Sequence, residues 1–144
     1  MGNQSSTMYR LNFEDIQEVI KKKEQYILIN TLSPNNQSCL LPNTVSCGQE
    51  EQIVNHYISH NKDKNIVIYG TNVNDMSIYD KYEQLVKLGF RNVYLYPGGM
   101  FEWLCLQDIY SSELFSTTKK ELDILKYKPQ SKLNTYYLTN DSLD

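Results

Sequence analysis

Three cysteines, Cys39, Cys47 and Cys105, are the strongest nucleophiles in the chain. A thiolate attacks electrophilic centres and holds soft metals, so spacing decides which of these chemistries is open. The odd count argues against a disulfide framework. No Cys-x-x-Cys and no matched histidine pair accompanies Cys39 and Cys47, so no metal site is expected. Cys105 sits in Trp103-Leu104-Cys105-Leu106-Gln107, where a buried structural thiol is the natural reading. Thr71 and Ser77 carry hydroxyls, but no base is evident beside either, and an unactivated hydroxyl is a poor nucleophile. His56 and His60 fall on the preceding helix, and nothing in the sequence brings them to those hydroxyls. A different chemistry is written at the start. Met1-Gly2-Asn3-Gln4-Ser5-Ser6 fits the N-myristoylation pattern, with Gly2 exposed after Met removal and a serine at the required offset. One myristoyl chain gives only marginal, reversible membrane attachment. No cysteine lies near Gly2 for a second acyl chain, and only Arg10 is basic nearby.

The chain has 144 residues, which suits one domain with a real core. Fourteen basic residues stand against seventeen acidic ones. No basic stripe interleaved with aromatics tracks along the chain, so no nucleic-acid partner is expected. The run Lys21-Lys22-Lys23 falls late in a helix, where cations suit the dipole, and reads as a solvated helix end. No apolar run approaches the about 18 to 20 residues that span a bilayer, so no transmembrane segment is expected. No secretory leader opens the chain, and the cysteine usage suits a reducing compartment, so a cytoplasmic setting is expected. Nothing calls for a cofactor.

The elements that must position these residues follow from apolar periodicity. Residues 1–10 read as a polar, flexible leader and residues 128–144 as a polar tail, leaving 11–127 as the domain. Asn12 and Asp15 form a capping pattern ahead of a helix with Phe13, Ile16, Val19 and Ile20 on one face, running to about Glu24. Tyr26–Asn30 is a short continuous apolar run, as in a buried parallel strand. Residues 31–48 are loop, with a short strand near Cys39–Leu41 or Val45. A second helix spans 49–60, and Asn65–Tyr69 is the clearest strand. Ile78, Tyr82, Leu85 and Val86 mark a third helix, ended by Gly89. Asn92–Tyr96 is the next strand. Gly98 and Gly99 then turn the chain into a helix in which Phe101 and Trp103 read as core and Glu102 as solvated. Thr117 and Thr118 cap a last helix at 119–125. Strands separated by amphipathic helices mean an α/β fold with a parallel sheet.

The second half of this pattern resembles the rhodanese-like domain family. The resemblance rests on a strand ending in a loop, a helix closing with Leu88-Gly89-Phe90, then Asn92-Val93-Tyr94 and Gly98-Gly99 followed by Trp103. It covers roughly Leu11 to Trp103. The first half is similar but worn. Asn30-Thr31 stands where the family often has Asp-Arg, and Cys39-Leu40-Leu41-Pro42-Asn43-Thr44 where it often has Gly-His-Ile-Pro-Gly-Ala. The resemblance implies a three-layer sandwich, a small, mostly parallel sheet with helices on both faces. It also implies that a cysteine nucleophile ends the strand before the loop, cradled by inward backbone amides that stabilise a thiolate or persulfide.

Here the cradle runs Gly70, Thr71, Asn72, Val73, Asn74, Asp75 and Met76, and Gly70 takes the nucleophile's place. The spacing from Gly70 to Gly89 is longer than the family's common pattern. Asp75 puts a carboxylate at a helix start, where it can act as an N-cap and satisfy the orphan amides from within. The expectation is a non-catalytic rhodanese-like domain that binds an as yet unknown protein partner through this loop, with no catalytic residue and no metal. The alternative is a sulfurtransferase whose thiol is Cys39, Cys47 or Cys105. In a third reading Gly2 does the main work, as a reversible anchor on the cytosolic face of a membrane.

Overall fold

The computed structural model describes residues 7–133. Four parallel strands form one sheet in the order β1-β4-β3-β2. They are β1 (Tyr9–Arg10), β2 (Tyr26–Asn30), β3 (Asn65–Tyr69) and β4 (Val93–Tyr96). The helices are α1 (Phe13–Lys21), α2 (Glu50–His60), α3 (Ser77–Lys87) and α4 (Gly99–Ile109).

Successive strand residues point to opposite faces, so each strand feeds two cores. Leu28, Val67, Tyr69 and Tyr96 face one side, where Ile16 and Val19 of α1 and Met100, Trp103 and Leu104 of α4 cover them. Ile27, Ile29, Ile66, Ile68, Val93 and Leu95 face the other, under Val54 of α2 and Ile78, Tyr82 and Leu85 of α3. Burial on both faces explains why Tyr26–Asn30 and Asn65–Tyr69 read as unbroken apolar runs rather than as alternating strands. The fold is the three-layer α/β sandwich expected.

Local chemistry sets the boundaries. Asn12 and Asp15 form a reciprocal capping box, each side chain taking the other's backbone amide at 3.0 Å. The helix they open stops at Lys21, short of the expected Glu24. At the end of α3, Phe90 N donates to Leu85 O and Gly89 N to Val86 O, a Schellman closure with Gly89 at φ 106°. Near Val45, the hidden strand proves to be a single parallel bridge, Leu28 to Thr44.

Two expectations needed correcting. Tyr9 and Arg10, assigned to the leader, add a short edge strand paired with Tyr94 and Leu95. No α-helix forms over 119–125; the regular turn there is a 3-10 helix, Ile124–Tyr127. Thr118 does not cap. Its Oγ1 accepts Leu40 N at 3.0 Å and donates to Ser38 O, while its own amide donates to Leu40 O at 2.8 Å. Thr117 donates to Lys119 O. Long-range pairing took the Thr118 hydroxyl, and a local bond the Thr117 one, that the sequence offered to a helix. Gly2 and the leader's Met1–Ser6 lie outside the described residues, as do residues 134–144 of the polar tail.

Candidate functional site

In a parallel sheet the loops that leave the strand C-termini gather at one end, and ligands of such folds collect there. Three such loops meet here. Asn30 pairs with Tyr69, and Tyr69 with Tyr96, so Thr31, Gly70 and Pro97 leave adjacent strands at one level. The segment after Gly70 forms the centre.

Its backbone is tied down from within. Asn72 O accepts Asp75 N at 3.0 Å, closing a turn, and Asn72 Oδ1 accepts Asn74 N at 2.9 Å. Asn72 Nδ2 reaches back to Tyr127 O at 2.9 Å. The Asp75 carboxylate then closes the loop. Oδ2 accepts Thr71 N at 2.8 Å, and Oδ1 accepts Ser77 N at 3.0 Å and the Ser77 hydroxyl. Ser77 Oγ is also 2.7 Å from Thr31 Oγ1. Asp75 is therefore not the N-cap of α3. That position is Met76, which makes no side-chain cap bond, and Asp75 acts one residue earlier as an Asx turn onto the first helical amide. The expected satisfaction of an orphan amide by Asp75 still occurs.

The space beside Gly70 belongs to that carboxylate. A Cβ on Gly70 would meet Asp75 Cγ and Thr31 Oγ1 at 2.9 Å, and Asp75 Oδ2 closer still. Burial pushes the Asp75 carboxyl up, but the Ser77 hydroxyl and the amides of Thr71 and Ser77 outweigh it and hold its pKa below the ordinary value. The charge is met by dipoles alone; among the described residues Asp75 enters no ion pair.

The start of α4 seals the other side. Met100 N donates to Gly70 O at 3.0 Å, and Phe101 N to Thr71 O at 2.9 Å, so the loop supplies carbonyls to a helix N-terminus. Gly99 makes this approach tolerable: it sits at φ 67°, and a Cβ there would lie 2.6 Å from Gly70 O. Val73, Asn74 and Met76 remain outward, the two apolar side chains 61% and 66% exposed.

The comparisons with known proteins agree with this frame. Residues 15–105 match the model of the rhodanese-like domain. The chain belongs to the rhodanese-like domain family. No curated protein sequence matches it. Among solved structures, a protein from Bacillus halodurans is similar at 17% identity and TM-score 0.57, over 83% of this chain and 90% of that one. A single-domain sulfurtransferase from Saccharomyces cerevisiae is similar at 14% identity and TM-score 0.53, over 73% of this chain and 95% of that one. A thiosulfate sulfurtransferase from Pseudomonas aeruginosa is similar at 15% and 0.53, over 68% of this chain but only 19% of that one. These likenesses describe the fold.

Within this rhodanese-like domain, no cysteine belongs to the loop or to its hydrogen bonds among the described residues. Cys39 is 1% exposed, donates to Lys119 O at 3.1 Å and has its pKa raised, chiefly by burial. Cys105 is half-buried rather than buried as expected, and burial followed by the charges of Asp108 and Glu102 raises its pKa too. Cys47 is exposed and lines a cleft with Glu50 and Lys81. His56 and His60 stack on each other on α2 and stay apart from the loop; His56 lines a groove with Tyr26 at the start of β2, the opposite end of the sheet. Trp103 is core, as read. Glu102, read as merely solvated, accepts the hydroxyl of buried Tyr96, whose pKa is raised by burial and then by that carboxylate. Sequence reasoning missed Thr31 and Tyr127. Thr31 had a signal, since it follows a strand that must neighbour β3. Tyr127 lies 55 residues from its partner Asn72 and had none.

Proposed function

We propose that this rhodanese-like domain is a non-catalytic binding module whose recognition surface is the loop Gly70–Met76. In this reading Gly70 stands where active relatives carry their nucleophile, and the Asp75 carboxylate takes the place of the thiolate or bound anion. The observation that carries it is the overlap at Gly70: the position of a cysteine's Cβ is already crowded by the Asp75 carboxylate and the Thr31 hydroxyl. The amides that would cradle sulfur are spent on an internal acceptor. Exposed Val73 and Met76 give a protein partner an apolar contact on a backbone that needs nothing from it. Thr71, Asn72 and Asn74 form the polar surround.

The experiment is sulfur transfer. Wild-type protein with thiosulfate or 3-mercaptopyruvate and cyanide is expected to give thiocyanate at the buffer rate and no persulfide by mass spectrometry. The rival reading, a sulfurtransferase with its thiol outside the loop, rests on Cys47, the exposed one. A persulfide on Cys47 that Cys47→Ser abolishes with turnover overturns the proposal. We further propose a cytoplasmic protein with a reversible membrane tether through acylated Gly2. Labelling with a myristate analogue, lost in Gly2→Ala together with membrane fractionation, tests it.

A further inference from the structure

The tether reading leaves open where the acyl chain rests when the protein is off the membrane. A groove of about 550 Å³ lies at the sheet end opposite the Gly70 loop. Tyr82, Val86, Phe90, Val93 and Tyr94 form its apolar lining, Arg91 and Asn92 its polar one, and Thr7 also lines it. The volume falls within the about 300–1,000 Å³ of small-molecule sites.

The leader arrives at this groove. β1 runs parallel to β4 with Tyr9 on Tyr94, so the chain upstream of Tyr9 heads toward the start of β4, where the groove opens. Thr7 O accepts the Tyr82 hydroxyl at 3.3 Å, which ties the leader's exit to the groove's own lining. Met8 packs on the same core cluster. From Thr7 back to Gly2 is five residues, a reach of up to about 17 Å. The leader Met1-Gly2-Asn3-Gln4-Ser5-Ser6 has no apolar side chain except the Met that processing removes. The one apolar group it can bring to the groove is an acyl chain on Gly2.

We infer that the groove formed by Tyr82, Val86, Phe90, Val93 and Tyr94 receives the myristoyl chain of Gly2 in the same molecule. The inference rests on the acylation proposed above. Groove and bilayer then compete for one chain, so the groove weakens membrane attachment.

The test uses the full chain, co-expressed with an N-myristoyltransferase and compared with unmodified protein. Mass spectrometry first reads whether Gly2 is acylated. If it is not, the tether reading and the groove assignment fall together. With Gly2 acylated, the Val86 methyl and Tyr94 ring resonances are expected to shift and to show contacts with a 13C-labelled acyl chain. Acylated wild type is expected to bind phosphatidylcholine vesicles several-fold more weakly than acylated Val86→Trp, checked for folding by its melting curve. Unshifted resonances in acylated wild type overturn the groove assignment and leave the tether standing. So does a concentration-dependent dimer in which the chain enters a second copy's groove. The wild-type resonances decide even if Val86→Trp fails to fold.

Discussion

Two loops leave neighbouring strands at the same end of the sheet, and each is closed by one side chain folded onto its own backbone. After β2 the closing group is Asn30, 6% exposed, whose Oδ1 accepts Leu32 N at 2.9 Å and Gln37 Nε2 at 2.8 Å while its Nδ2 donates to Gln37 Oε1. After β3 it is Asp75, partly exposed, holding Thr71 N and Ser77 N. The first closure is neutral and deep. The second is charged and close to water. A neutral amide suffices to fold a loop, so the charge at Asp75 is an addition. In the function proposed above, that carboxylate stands where the cradle's anion would sit, taking the Thr71 and Ser77 amides.

The contrast can be broken in order of expected effect. Gly99→Ala strikes both the positive φ and the contact with Gly70 O, and is expected to cost about 3 kcal/mol in chemical denaturation. A loss below about 1 kcal/mol would mean that α4 does not clamp the loop. Asn30→Ala strands a buried amide and the Gln37 side chain, at an expected cost of about 2 kcal/mol that is flat with pH.

Asp75→Asn is expected to cost about 1 kcal/mol near neutrality, discounted because the group is partly exposed. Its pH dependence separates the two loops. The folded-state pKa of Asp75 is depressed, so its contribution is full above the unfolded carboxylate pKa of about 3.9 and is lost as pH falls through the lower folded value. The stability gap between wild type and Asp75→Asn should close on acidification, while the Asn30→Ala gap stays constant. A gap at Asp75 that widens on acidification would reverse the sign of the shift. Smallest of all, Val73→Ser with Met76→Ser should leave the melting curve within about 0.5 kcal/mol, since both side chains face water. A larger loss would place them in the packing rather than on a docking surface.

How much of this could be read from the residues alone depends on the range of each interaction. β3, α3 and the Gly89 stop were legible because they rest on unbroken apolar runs, a 3.6-residue stripe and a glycine at C′, all local. Asp75 was legible because a carboxylate before a helix start has amides within reach, though not the Asx geometry that moved it one residue from the cap. Thr117 and Thr118 misled, because a hydroxyl serves equally well for capping, for the local bond that Thr117 makes to Lys119 O, and for the pairing of Thr118 with Ser38, 80 residues away. β1 was missed because two residues carry no periodicity; the edge of β4 defines them. The groove under Thr7 needed the same pairing.

The most direct measurement is sulfur uptake by Gly70→Cys, alone and combined with Asp75→Gly. With Asp75 in place the introduced thiol has no room beside the carboxylate, and thiosulfate should leave it without a persulfide by mass spectrometry. Removing Asp75 frees the Thr71 and Ser77 amides and the nearest of the crowding atoms, leaving only the rotatable Thr31 hydroxyl to give way, and sulfur should then load. Loading of the single variant at position 70, with Asp75 intact, would contradict the account.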